Sequence, residues 1–207
     1  MTSTLSHRNI EAIARGRASE LVAIAASAGG LNAITQVLSA LPETFPCSLA
    51  IVQHLDPRHR SQLAGILGRR TPLPVKQAED GERLLPSRVY IAPPDKHLLI
   101  NKDRTVSLTS TELVHFVRPS ADLLFESVAA SFRDRAIAVV LTGSGVDGSM
   151  GLAAIKKMGG TVIAQDEASS EFFGMPGAAI DTGNVDFILP LEDIPGALVR
   201  LVHGEPN

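Results

Sequence analysis

The stretch LVAIAASAGGLNAITQVLSAL, residues 21–41, decides the fold that we predict. Its first six residues, Leu21–Ala26, form an unbroken apolar run, which is typical of a strand buried on both faces of a parallel sheet. After Gly30 the apolar residues recur at helical spacing, which predicts a helix to Leu41. Ser27 therefore lies on a turn between a buried strand and a helix. In such a turn a serine either belongs to a structural or phosphate-binding helix start, or is a nucleophile held toward a substrate.

Apolar strands and helical segments alternate along most of the chain. The runs CSLAIVQH (47–54), AIAVVLTG (136–143), TVIAQDE (161–167) and DFILP (186–190) predict further strands, each next to a segment of helical spacing. Between residues 72 and 110, short apolar pieces separated by turn residues predict short strands and a hairpin instead. We therefore predict the α/β class: a three-layer α/β/α sandwich with a mostly parallel, doubly wound sheet plus a short β-hairpin region.

The composition limits the domain count and the cellular location. With 207 residues, 44% of them hydrophobic and 20% charged, the chain has the size and makeup of one globular domain. We assign this domain to residues 21–203, after an N-terminal lead-in of residues 1–20 that is disordered or a short helix. No apolar run is long enough to span a membrane and the N-terminus lacks the apolar core of a secretory signal. These features predict a cytoplasmic protein without membrane insertion.

Cofactors, metals and nucleic acids are not predicted. The sequence contains neither G-x-G-x-x-G nor G-K-[ST], the patterns that bind dinucleotides and nucleoside triphosphates. Cys47 is the only cysteine, and the histidines show no metal-ligand spacing. The net charge of -3, with one tyrosine and no tryptophan, offers neither a basic surface nor an aromatic platform for nucleic acid. The chemistry must come from the side chains themselves.

Polar residues at strand ends suggest a hydrolytic site. The carboxyl ends of parallel strands meet at one edge of the sheet, where open α/β folds bind ligands. Ser27, His54 and Asp147 each follow a predicted strand, and they supply the nucleophile, base and orienting acid that an active serine needs. Their order along the chain differs from that of the α/β-hydrolases. Asp166, which also follows a strand, is the rival for the acid.

Two backbone groups and one arginine complete the candidate site. The N–H groups of Ala28, at the helix entrance, and of Ser144, in the glycine-flanked loop, are candidates for binding an oxyanion. Arg118 either binds a carboxylate of the substrate or forms a surface salt bridge. Taken alone, a histidine at a strand end and an aspartate in a glycine loop are more often structural, so only the coincidence of three such residues favours catalysis.

Seven separated blocks of the sequence carry a family resemblance: VAIAASAGGLNAI, VQHLDP, AEDGERLLPSRVYIAPPDKHL, RPSADLLFESVA, VVLTGSGVDGSMGLAAIKKMGG, AQDEASSEFFGMP and AAIDTGNVD. In this order, from about Leu21 to Pro195, they resemble the catalytic domain of the chemotaxis methylesterase CheB. The resemblance implies a protein-glutamate methylesterase that releases methanol from methylated chemoreceptor cytoplasmic domains, with glutamine deamidation as a companion activity. It places the family's serine, histidine and aspartate on Ser27, His54 and Asp147, and it decides against Asp166.

The chain also departs from the family pattern. Ala25, Ala28 and Ser144 stand where glycine, threonine and methionine are common in the family, and the last change alters the apolar wall that faces the ester. Typical relatives carry a phosphorylatable receiver domain, for which some 20 residues before the first strand are too few. We therefore expect a stand-alone domain within a signalling phosphorelay, open or restrained by a separate regulatory or methyltransferase protein. A catalytically idle signalling adaptor and a small-molecule esterase outside chemotaxis are the alternative functions.

Overall fold

A computed structural model describes residues 19–54 and 61–203 of the protein. The strands in these residues are β1 (Leu21–Ala26), β2 (Ser48–Gln53), β3 (Val75–Gln77), β4 (Val89–Ile91), β5 (His97–Ile100), β6 (Val106–Thr109), β7 (Ala136–Val140), β8 (Thr161–Gln165) and β9 (Phe187–Leu189). The helices are α1 (Gly30–Ser39), α2 (Leu63–Gly68), α3 (Ala121–Phe132), α4 (Gly151–Lys157), α5 (Gly174–Asp181) and α6 (Ile194–His203). Most of the predicted lead-in, residues 1–18, lies outside the described residues.

Seven strands form a parallel sheet in the order β3-β4-β2-β1-β7-β8-β9. The strands β5 and β6 form a separate antiparallel pair, which confirms the predicted hairpin. The prediction of an α/β sandwich is confirmed. The strand order reverses beside β1, which pairs with β2 on one side and with β7 on the other. In open parallel sheets this switch point forms a crevice at the carboxyl ends of the strands.

Two apolar cores cover the faces of the sheet. Along β1, Val22, Ile24 and Ala26 belong to the core beneath α1, α2 and α6. The alternate residues Leu21, Ala23 and Ala25 belong to the core beneath α3, α4, α5 and the hairpin. The period of two places successive side chains on opposite faces, so a strand buried on both faces must be apolar throughout. This requirement explains the unbroken run before Ser27.

Helix boundaries follow local chemistry. Ser120 caps α3 by accepting a hydrogen bond from the Leu123 N–H, which confirms the predicted cap. The helix α4 ends before Gly159, whose φ of 86° favours glycine.

Within the described residues, no helix has both the length and the apolarity needed to cross a membrane.

Candidate active site

Ser27 and His54 follow neighbouring strands in register. Ala26, the last residue of β1, is paired with Gln53, the last residue of β2. Ser27 and His54 are the next residues of each chain segment, and the His54 N–H donates to the Ala26 carbonyl at 3.1 Å. Because adjacent parallel strands lie about 4.8 Å apart, the sheet itself places the serine next to the histidine. Among the described residues, no hydrogen-bond partner of the Ser27 hydroxyl is found.

Asp147 forms a hydrogen bond with the histidine. His54 Nε2 donates to Asp147 Oδ2 at 2.8 Å, and the two side chains are 14% and 4% exposed. This pairing uses Nε2 and leaves the Nδ1 nitrogen of His54 to serve as the base toward a serine. The structure therefore brings the predicted histidine and aspartate together across the sheet edge.

The Asp147 carboxylate lies at the start of α3. Its Oδ2 accepts the Ala121 N–H at 2.6 Å, and its Oδ1 accepts the Ser120 hydroxyl at 2.8 Å and the Asp122 N–H at 3.3 Å. Burial favours the neutral acid, but the hydrogen bonds from His54 and from the helix start outweigh burial, so the pKa of Asp147 lies below its usual value. The partner of His54 is therefore an anion at neutral pH, which suits an imidazole that must accept a proton.

The loop after β7 packs directly on the serine. The Ser27 N–H donates to the Thr142 carbonyl at 3.0 Å. A Cβ at Gly143 would lie 2.8 Å from Ser27 Cβ and 2.4 Å from Met175 Sδ, so only glycine fits at this position. Ser144, the next residue, is exposed to solvent.

Two backbone N–H groups at the site have no acceptor among the described residues. In the described part of the chain neither Ala28 N nor Ser144 N makes a hydrogen bond, whereas Gly143 N donates to the Phe172 carbonyl at 2.9 Å. Backbone N–H groups without a protein acceptor can bind the oxyanion of a tetrahedral intermediate. The N–H groups of Ala28 and Ser144 are the two that the sequence predicted as candidates for this role.

A carboxylate lies against the glycine turn that follows Ser27. A Cβ at Gly29 would lie 2.7 Å from Glu171 Oε2. This negative charge would repel a phosphate at the start of α1, because like charges in proximity raise the free energy of the bound state. The geometry thus disfavours the phosphate-binding alternative for the turn.

The Arg118 guanidinium binds groups of two neighbouring loops. Its Nε and Nη2 donate to Asp95 Oδ1 at 2.9 and 2.6 Å, and its Nη1 donates to the Thr111 carbonyl at 2.6 Å. These contacts correspond to the salt-bridge alternative. A guanidinium bound in this way has few donors left for a substrate carboxylate.

The remaining sequence candidates lie apart from this network. Asp166 Oδ1 accepts the N–H and hydroxyl of Ser169, which makes it a loop residue. Cys47 precedes β2, at the opposite end of the strand from His54, and burial together with the Glu20 charge raises its pKa to about 12. A thiol with that pKa is a poor nucleophile at neutral pH.

Three residues that form hydrogen bonds with the candidate site were not predicted from the sequence to do so. Gln53 donates to the carbonyls of Ser27 and His54. The Thr142 hydroxyl lies 3.1 Å from the Ala28 carbonyl. Ser120 was assigned only as a helix cap, yet it also binds Asp147. Polar residues at strand ends were the available signal for Gln53 and Thr142, since a buried polar side chain needs a partner.

Comparisons with known proteins agree with this geometry. The CheB methylesterase family model matches residues 22–198. A putative protein-glutamate methylesterase/protein-glutamine glutaminase of Leptospira interrogans is 41% identical over 182 residues, which cover 88% of this chain and 94% of the relative. A protein-glutamate methylesterase/protein-glutamine glutaminase of Moorella thermoacetica is 43% identical over 189 residues, which cover 89% of this chain but 45% of the relative. The chain thus spans nearly all of one relative and about half of another.

The fold has a close structural counterpart. The crystal structure of the Thermotoga maritima CheB methylesterase catalytic domain superposes with a TM-score of 0.86 at 38% sequence identity, covering 89% of this chain and 100% of that one. The family match in sequence and the structural match each cover most of this chain. The chain belongs to the CheB methylesterase family.

Proposed function

We propose that the protein is a protein-glutamate methylesterase whose catalytic triad is Ser27, His54 and Asp147, and that its substrates are methylated glutamates of chemoreceptor cytoplasmic domains. The observation that carries the triad is the hydrogen bond of His54 to the buried Asp147, one strand away from Ser27. The names of the relatives support the reaction class. The family's use of methylated receptors supports the substrate.

The first half-reaction transfers the glutamyl group to the enzyme. His54 Nδ1 removes the proton of the Ser27 hydroxyl as the oxygen attacks the ester carbonyl, and Asp147 stabilises the resulting imidazolium. The tetrahedral intermediate places its negative oxygen toward the N–H groups of Ala28 and Ser144. When the intermediate collapses, His54 returns the proton to the departing methoxide. The products are methanol and a glutamyl ester of Ser27.

The second half-reaction regenerates the enzyme. A water molecule loses a proton to His54 and attacks the acyl carbon, and Ser27 leaves with that proton. The released receptor residue is a glutamate. The same steps with ammonia as the leaving group convert glutamine to glutamate, which corresponds to the glutaminase activity in the relatives' names.

The test is methanol release from a methylated receptor cytoplasmic fragment. The variant Ser27→Ala lacks the nucleophile and should lose several orders of magnitude in kcat, on the scale known for triad nucleophiles. The matched control is Ser39→Ala, because the Ser39 hydroxyl only donates to a carbonyl on the exposed side of α1. We expect this control to retain normal turnover.

The outcomes separate the competing functions. Release that depends on Ser27 supports the proposal. Turnover of small methyl esters without turnover of any receptor fragment would instead favour a small-molecule esterase. Binding to receptor fragments by a folded protein that hydrolyses neither substrate would favour the idle adaptor.

A further inference from the structure

Gln53 links the backbone of the candidate nucleophile to that of the candidate base. Its side chain is 5% exposed and lies at the end of β2. The single amide nitrogen Nε2 donates to the Ser27 carbonyl at 2.8 Å and to the His54 carbonyl at 3.0 Å. One side chain therefore holds together two chain segments that are 26 residues apart.

The first of these hydrogen bonds also determines where the Ala28 N–H points. The Ser27 carbonyl and the Ala28 N–H belong to one planar peptide unit, in which the C=O and N–H bonds point in opposite directions. The Ser27 oxygen is held from a second side by the Gly30 N–H at 2.9 Å. With the oxygen fixed, the Ala28 N–H is fixed as well, and it faces away without a protein partner among the described residues.

The amide achieves this at a cost in its own hydrogen bonding. Gln53 Oε1 is buried and has no hydrogen-bond partner in the described structure. It lies so close to the start of α1 that a Cβ at Gly30 would be 2.0 Å away from it. An unsatisfied buried oxygen destabilises a fold, and an apolar side chain would avoid that penalty. Stability of the fold is therefore a poor explanation for this glutamine.

We propose that Gln53 is a positioning residue for ester hydrolysis: its two donated hydrogen bonds hold the Ala28 N–H in the orientation that binds the oxyanion and keep His54 beside Ser27. The proposal rests on the proposed function. Oxyanion stabilisation acts in the transition state and not on the bound substrate, so loss of the positioning should lower kcat and leave KM nearly unchanged.

The experiment compares two variants at Gln53 with a matched pair at Gln36. Gln53→Met removes both donors at similar length, and Gln36→Met makes the same change on the exposed side of α1. Each protein is tested for methanol release and for the rate at which a fluorophosphonate labels Ser27 with loss of fluoride. This labelling needs an activated serine and an oxyanion site but no receptor, so it distinguishes a wrong positioning role from a wrong substrate.

We expect Gln53→Met to lower kcat and the labelling rate by about 10- to 100-fold, the cost of misplacing reacting groups by a fraction of an ångström to an ångström. KM should stay within about threefold of the unmodified value. The melting temperature should change by less than about 4 °C, which corresponds to a small stability change in a domain of this size. Gln36→Met should match the unmodified protein in all four measurements.

Gln53→Glu gives a signature that a structural role would not produce. The neutral carboxyl still donates one hydrogen bond, whereas the ionised form donates none, and burial raises the pKa of the introduced group. Among the residues that the structure describes, the other titratable groups near this turn are the His54–Asp147 pair and Glu171. The labelling rate of Gln53→Glu relative to that of Gln36→Glu should therefore fall as pH rises from about 6 to about 9.

Three results with the Gln53 variants would overturn the proposal. The first is labelling of Gln53→Met at the rate of the unmodified protein. The second is a loss of labelling that is fully explained by a loss of folded protein. The third is a ratio of labelling rates, Gln53→Glu to Gln36→Glu, that does not change with pH. Failure of the unmodified protein to label at Ser27 would also overturn it. Normal labelling without methanol release from any receptor fragment would instead refute only the proposed substrate.

Discussion

His54 Nε2 and Asp147 Oδ2 are 2.8 Å apart although 93 residues separate them along the chain. The strands that precede His54 and Asp147 lie on either side of β1. Because these three strands are parallel, they end at the same edge of the sheet, and the segments that follow them meet there. The pair is largely buried, and its carboxylate receives three further hydrogen bonds from the start of α3. Several testable consequences depend on this contact and on its surroundings.

Replacing the acid should abolish most of the activity. In Asp147→Asn the amide cannot act as the anionic partner of His54, so we expect kcat to fall by about 10⁴-fold, the loss typical of this substitution in a serine triad. Methanol release and fluorophosphonate labelling measure the effect. Asp166→Asn is the matched control, because among the described residues the Asp166 carboxylate accepts hydrogen bonds only from Ser169 in its own loop. Equal losses in the two variants would contradict the assignment of Asp147.

The same residue should contribute to stability in a pH-dependent way. The pKa of Asp147 is lower in the folded protein than in the unfolded chain, where it is about 3.9. The stabilisation is therefore fully present above about pH 4 and is lost as pH falls through the folded value. Urea unfolding should show the stability difference between the unmodified protein and Asp147→Asn shrinking below about pH 4. A difference that is constant from neutral to acid pH would refute this linkage.

Asp122 should have the opposite pH dependence. Burial raises its pKa, assisted by the charge of Asp147 and opposed by the Gly151 N–H, which Asp122 Oδ1 accepts at 2.7 Å. A raised folded pKa means that stability declines as pH rises through that value, because ionisation is penalised in the fold. Asp122→Asn keeps an acceptor for Gly151 and removes the charge. Its melting temperature relative to the unmodified protein should therefore be higher at pH 7 than at about pH 3.

Ser120 should affect both folding and catalysis. Its hydroxyl caps α3 and donates to Asp147, so Ser120→Ala should cost about 1 kcal/mol of stability and also lower kcat. Ser131→Ala is the matched control in the same helix, since the Ser131 hydroxyl donates to the Ile100 carbonyl far from the triad. Denaturant unfolding and methanol release should separate the two variants: both lose stability, but only Ser120→Ala loses activity. Normal activity of Ser120→Ala would show that Asp147 does not need this donor.

Cys47 should be inert in the folded protein. With a pKa of about 12, its thiolate fraction at pH 8 is about 10⁻⁴, and the side chain is buried. We expect no carboxamidomethylation by iodoacetamide under conditions that modify the urea-unfolded chain completely, as measured by intact mass. Rapid modification of the native protein would mean that the N-terminal end of β2 opens readily.

The sequence by itself determined the elements and the residues at their ends. Strands buried on both faces must be apolar throughout, and helices repeat their apolar residues every three to four positions. Both patterns can therefore be recognised from residues that are close together in the sequence. The same reasoning identified Ser27, His54 and Asp147 as strand-end residues. It also predicted the N–H groups of Ala28 and Ser144 as candidate oxyanion donors, because a glycine-rich turn exposes N–H groups.

Only the tertiary structure decided which of these residues meet. The strand pattern taken alone left Asp147 and Asp166 as rivals, between which the family resemblance chose Asp147. It also left Arg118 with two roles, because hydrogen bonds between distant segments depend on strand order. The contacts of Gln53 and Ser120 beside the candidate triad could not be predicted from the sequence, for a further reason. A buried polar side chain must find its partners wherever the fold brings them, and those partners are carbonyls and carboxylates that lie far away along the chain.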